Sequence, residues 1–193
     1  MNVDISNLEP GTPGVSHGAG LLGELIRHAT GSWAGHAFMY IGNGLCVQGT
    51  APRADIVPAT TFGDAIWAWH MWDELTLHNG WDAKAVAVGQ QKVVARSRAE
   101  VGTPYDYIAY AGFGLEVLNL RHEDQLAAEF RQDSWRVCSA LVADALTFGG
   151  VPLDFIPEDG PGLEKDLSVK VGMPPNLVAP GMLLGLFQRL NWA

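Results

Sequence analysis

Apolar residues recur at Leu141, Val142, Ala145 and Leu146, the spacing of one buried helical face, and a cysteine, Cys138, stands just before them. Gly149 and Gly150 end the pattern and Pro152 follows, so a helix is predicted to stop there, with Ser134 or Asp133 as its cap. A second apolar stripe, Leu21, Leu22, Leu25 and Ile26, predicts a short helix over 21–29 that Thr30-Gly31-Ser32 breaks. The first twenty residues, rich in Gly, Pro and polar side chains, read as loop.

Period-two alternation takes over after Gly35. Two strands are predicted, His36 to Ile41 and Leu45 to Gly49, joined by a tight Gly42-Asn43-Gly44 turn, because Asn-Gly between apolar runs is a strong hairpin signal. Alternation puts His36, Phe38 and Tyr40 on one face of the first strand and Cys46 with Gln48 on one face of the second. Counted back from the turn, His36 and Gln48 fall about opposite one another.

The signal stays mostly β through Ala51 to Leu77, with Trp67, Trp69 and Met71 expected on the inner face of a strand. Asp82 is placed to cap a helix running to about Val101, stopped by Gly102 and Pro104. A further helix is expected over 106–120, followed by a charged run from Arg121 that reads as a solvated helix face or lid. Beyond Gly150 the chain is proline-rich and loop-like until Met182 to Leu190 returns to the core. The whole, 1–193, reads as one domain with its core over about 20–150.

Composition narrows the function classes. With 193 residues, 48% apolar and 17% charged, the chain can bury a sizeable core. A formal charge of −9 argues against a nucleic-acid backbone as partner. The N-terminus has no basic, apolar signal segment, and no stretch approaches a membrane span, so the default expectation is a cytoplasmic protein. Two cysteines leave room for one disulfide at most, and the six histidines show no metal-binding spacing. No Walker loop, dinucleotide fingerprint or Gly-x-Ser-x-Gly elbow is present, and no metal or cofactor is expected.

Cysteine chemistry remains. A thiol in the first turn of a helix faces unpaired N–H groups and the positive end of the macrodipole, which favours thiolate. A cysteine hydrolase also needs a histidine to take and return a proton and a polar group to hold the imidazole. His36, opening a strand, can project its ring at the end of the sheet, and Gln48 can accept a hydrogen bond from it. Set against this, a lone cysteine is more often a small buried hydrophobe, and His36 and Gln48 are ordinary at strand positions.

The segments Gly-His-Ala-Phe-Met-Tyr-Ile-Gly-Asn-Gly-Leu-Cys-Val-Gln, Gly-Thr-Pro-Tyr-Asp-Tyr and Val-Cys-Ser-Ala-Leu-Val-Ala-Asp-Ala-Leu resemble the circularly permuted branch of the NlpC-type, papain-like cysteine hydrolases. That branch includes the YiiX-like amidases and the lecithin:retinol acyltransferase-like enzymes. In it the histidine strand precedes the cysteine helix, as His36 precedes Cys138 here. The resemblance spans about 20–150, with Pro-Gly-Met-Leu-Leu near the end similar to a late core strand, and implies an α+β papain-like fold, an antiparallel sheet packed against a catalytic helix and further helices. It implies Cys138 as nucleophile, His36 as general base and Gln48 as the residue orienting the imidazole. Tyr105 is a candidate oxyanion donor or substrate-positioning residue, and equally a core tyrosine. The helix departs from many YiiX-like members in having Ala140 where they carry Glu, and Gln48 stands where relatives often have His or Glu.

The implied activity is cleavage of an amide or peptide bond through a thioacyl intermediate. Peptide or isopeptide amides, peptidoglycan stem peptides among them, would be the substrates, and a phage-borne, lysis-released or intracellular enzyme would fit. Two other readings stay open: a thiol acyltransferase or lipid deacylase, and a silent structural or binding module of the same fold. In the hydrolase reading Cys138 is accessible, within hydrogen-bond reach of His36, with Gln48 on the far side of the ring.

Overall fold

A computed structural model describes residues 5–105, 138–153, 178, 180–190 and 192. It is an α+β arrangement: a five-stranded antiparallel sheet with helices packed on it. In chain order the elements are β1 (Pro13–Ser16), α1 (Gly20–Thr30), β2 (His36–Gly42), β3 (Leu45–Gln48), β4 (Asp55–Pro58), β5 (Ile66–Trp67), α2 (Met71–Asn79), α3 (Ala83–Ala99), α4 (Cys138–Gly149) and α5 (Pro180–Arg189). The sheet order is β4-β3-β2-β1-β5. The expected helix over 106–120, the charged run after it, the caps at Ser134 and Asp133, and most of the proline-rich segment lie outside the described residues.

The β2–β3 hairpin forms where the pattern put it. Asn43 and Gly44 both take positive φ, 54° and 71°, the conformation a two-residue primed turn requires and the reason Asn-Gly is used there. The ladder is irregular between Tyr40, which pairs with Cys46, and Gly42, which pairs with Leu45. Gln48 pairs with Phe38, whereas His36 pairs with Ser16 of β1. The expected His36–Gln48 opposition is therefore two residues out, and the two are diagonal neighbours. A diagonal pair lies about 7–8 Å apart, still within reach of long side chains.

Three other expectations are corrected. The first twenty residues are not all loop: Pro13–Ser16 is an interior strand between β2 and β5. The Trp67–Met71 alternation is not one strand. β5 ends at Trp67, Trp69 is 43% exposed, and Met71 opens α2. The Pro-Gly-Met-Leu-Leu segment, expected as a late core strand, starts α5 with Pro180 at its first position, where a missing N–H costs nothing.

Paired residues in neighbouring strands share a face, so one row crosses all five strands: Trp67, Gly14, Phe38, Gln48, Asp55. Gly14 allows the row to close. A Cβ there would meet Phe38 Cε2 at 2.4 Å and Trp67 Cε3 at 2.9 Å. Phe38, Tyr40, Cys46 and Trp67 pack with Leu8, Ala59 and Phe62 in one apolar cluster. The alternate residues of β2 and β3, Ala37, Met39, Ile41 and Val47, join a larger cluster with α4 and α5. Leu141, Val142 and Leu146 of α4 are fully buried there, each contributing about 1.5–3 kcal/mol.

Helix ends follow the sequence signals. Asp82 caps α3 by accepting from the Ala85 N–H at 2.7 Å. The end of α4 is a Schellman turn, with Val151 N–H on Leu146 O and Gly150 N–H on Thr147 O, both 3.0 Å. Arg96 ties α3 to α4 through Asp144 at 2.5 Å and bonds Glu100 at 2.9 Å.

Candidate active site

His36 is the first residue of β2, and its ring lies 6.0 Å from that of Phe38 and 5.9 Å from that of Phe62. It thus sits where the aromatic cluster meets the end of the sheet. The ring Nε2 is 2.8 Å from Gln48 Oε1. An amide oxygen only accepts, so Nε2 carries the hydrogen and donates. The Cys138 thiol is also hydrogen-bonded to His36. With Nε2 committed to Gln48, that bond falls to Nδ1. In the neutral ring Nδ1 is then bare, the tautomer that can take a proton from sulfur.

Charge favours that transfer. Burial alone depresses the His36 pKa, but the charge of a Cys138 thiolate, the hydrogen bonds to Cys138 and Gln48, and the charge of Asp55 outweigh it. The net shift is upward from 6.5, toward imidazolium. Cys138 and Gln48, from two other elements, therefore meet at the one His36 ring.

The expectation of an accessible nucleophile fails. Cys138 is fully buried, as are Ser139 and Ala140. A cysteine in the first turn of a helix whose neighbours all face the interior is shielded by the packing that orients it. Ser139 Oγ is turned away into a hydrogen bond with Val178 O. Ala140 leaves no carboxylate beside the thiol.

Tyr105 is buried, and its backbone N–H donates to Pro52 O at 3.0 Å beside the Arg53–Pro104 bridge. Ala54 N–H bonds Thr103 O at 2.9 Å, so the Gly-Thr-Pro-Tyr segment is pinned along the residues that lead into Asp55. Neither cysteine forms a disulfide. Cys46 lies in the aromatic cluster, where burial pushes its thiol up to about 12 and removes it as a nucleophile.

Sequence reasoning passed over Asp55. Its only signal was the Gln48–Asp55 pairing, which depends on a register that the sequence did not give. Among the described residues no group of His, Cys, Asp and Glu is arranged to hold a metal ion, and no helix is long and apolar enough to cross a membrane. A surface cleft of about 410 Å³, lined by residues that include Glu9, Trp72, Asp73 and Gln90, has none of the site residues in its walls. No family model and no curated protein matches the sequence.

Proposed function

We propose that this chain is a cysteine hydrolase of the permuted papain-like type, cleaving an amide or peptide bond through a thioacyl intermediate. One observation carries the reading: the His36 ring is held by Gln48 at 2.8 Å and is also hydrogen-bonded to Cys138. That is the nucleophile, base and orienting group of a cysteine protease, assembled from three separate elements. The order of histidine strand before cysteine helix, and an antiparallel sheet packed on that helix, support the permuted papain-like fold.

His36 Nδ1 takes the Sγ proton, and the thiolate adds to the substrate carbonyl. The oxyanion is met by the Cys138 backbone N–H and a second donor, for which Tyr105 is the candidate. Collapse breaks the C–N bond as imidazolium protonates the departing amine. Water, losing a proton to His36, then cleaves the thioester and releases the acid. Peptide amides, including those of peptidoglycan stems, are the proposed substrates; in an acyltransferase an acceptor takes the place of water, loses its proton to His36 and receives the acyl group as the C–S bond breaks. Gln48 orients without adding charge, so the polarisation of the pair depends on its surroundings.

A second reading rests on the full burial of Cys138. In it the same fold is kept as a binding or structural module, and the triad is a satisfied polar cluster.

Iodoacetamide labelling across pH, with the adduct located by mass spectrometry, separates the two. An activated Cys138 labels well below the ~8.5 of a free thiol, and the low-pH labelling is lost in His36→Ala. Cys46 stays unlabelled. If Cys138 labels no faster than a free thiol, the hydrolase reading is wrong. Turnover of muropeptides against phospholipids then distinguishes amidase from lipid deacylase.

A further inference from the structure

Asp55 is the last member of the row that crosses the sheet. It opens β4 and pairs directly with Gln48, so both side chains stand on the same face. β4 is an edge strand, where an acidic residue ordinarily keeps its oxygens in water. Here Oδ1 is buried and accepts no hydrogen bond among the described residues. No salt bridge to Asp55 forms among them either. Asp55 as a whole is half-buried, but a carboxylate oxygen taken out of water without a partner is costly and is tolerated where something nearby becomes positive.

We infer that Asp55 is a positioning residue acting on His36 from behind Gln48, a step that rests on the hydrolase reading above. Two effects follow from its place. A carboxylate opposite Gln48 favours the amide rotamer with its NH2 toward Asp55 and its oxygen toward His36. The reverse rotamer would offer Nε2 a donor and force the ring proton onto Nδ1, leaving no base for the thiol. The carboxylate also stabilises the imidazolium formed when the ring takes the thiol proton. Asp55 thus supplies, one strand further out, the charge that a neutral Gln48 lacks.

Among the described residues the other groups around the ring do not provide it. Cys138 faces it from α4 and Gln48 from β3, while β1 opposes it with Ser16. Phe38 and Phe62 are uncharged walls. Arg27 of α1, beside Gly35, spends Nη1 on the carbonyls of His17 at 2.5 Å and Gly18 at 3.0 Å. His17 is exposed, its ring 6.0 Å from that of Trp33, and its backbone N–H donates to Asp64 Oδ2 at 3.1 Å. Among the described residues Asp55 is the acid whose charge acts on His36, raising its affinity for a proton.

The test is the His36 titration, followed by NMR of histidine-labelled protein, in wild type, Asp55→Asn and Asp55→Glu. Asp55→Asn should lower the His36 pKa by about one unit, the scale expected of one nearby charge in a partly buried site. Asp55→Glu, which keeps the charge, should hold it near the wild-type value. A purely structural role predicts no shift in a folded Asp55→Asn variant, and His36 titrating identically in the two proteins overturns the inference. Should that variant not fold, the wild-type Asp55 carboxylate signal decides: it must move as His36 titrates, and a signal that stays still refutes the coupling. Cys138 labelling in the same wild-type sample keeps the two proposals apart. Slow labelling defeats the hydrolase reading, whereas fast labelling with an unshifted His36 defeats the role of Asp55 alone.

Discussion

Replacing Gly14 by alanine tests whether the sheet holds His36 as described. Gly14 has no need of unusual backbone angles, so the substitution acts through space alone. The added Cβ would lie 2.4 Å from Phe38 Cε2 and 3.0 Å from its Cζ, against an ordinary carbon contact of about 3.5–4.0 Å. Phe38 must therefore retreat by about 1 Å. It has little room, because its ring is stacked on Phe62 at 3.6 Å and 4° and meets Trp67 edge-on at 5.1 Å. Overpacking of this kind costs about 1–3 kcal/mol. Loss of glycine's freedom in the unfolded chain returns about 0.4–1 kcal/mol, leaving a net loss of about 1–2 kcal/mol. For a chain of this length that lowers the melting temperature by about 2–8 °C, read by far-UV circular dichroism. Since the His36 ring touches both Phe38 and Phe62, Cys138 labelling should slow in the same variant. Gly63→Ala is the control: nothing lies within 4 Å of its Cβ, and stability should stay within about 0.5 kcal/mol. Equal melting of the two variants would refute the packing of the row.

Asp82→Ala removes the α3 cap and should cost about 1 kcal/mol, seen as a lower denaturant midpoint at unchanged slope. His36 gives a pH dependence of definite sign. Because folding raises its pKa above 6.5, the added stability is complete below that value and is lost as pH rises through the folded pKa. The stability difference between wild type and His36→Ala, from urea unfolding, should accordingly be larger at pH 6 than at pH 9; the opposite order would contradict the raised pKa.

Local signals were legible wherever a single segment carried them. The α4 stop at Gly149-Gly150, the Asp82 cap and the Asn43-Gly44 turn each depend on two or three residues and came out as expected. β1 escaped because Pro-Gly-Val-Ser has the composition of a loop. Its strand conformation comes from neighbours on both sides, and its glycine is there for the aromatic rings that cross it. The Trp67 to Met71 alternation misled because aromatic spacing alone does not tell a strand from a strand running into a helix. The His36–Gln48 opposition failed on counting alone: about the Gly42–Gly44 turn Ile41 faces Leu45, which already brings Phe38 opposite Gln48, as found, while Asp55 was hidden by the separate register of β3 on β4. Burial of Cys138 was invisible for a related reason: periodicity gives the face of a helix, and closure of its first turn depends on what packs over it.

The order in which the site comes together has a consequence for synthesis. His36 and Gln48 are 12 residues apart in one hairpin, an element that closes in about 1–10 μs. Cys138 reaches them only across an interval, from position 36 to position 138, of 102 residues, a far larger loop to close. Chains emerge N-terminal end first, at roughly 5–20 residues per second, so the imidazole and its amide can be set in place seconds before the thiol exists. A chain interrupted before α4 carries a finished base and no sulfur at the site, and the pair first appears when α4 docks onto the sheet.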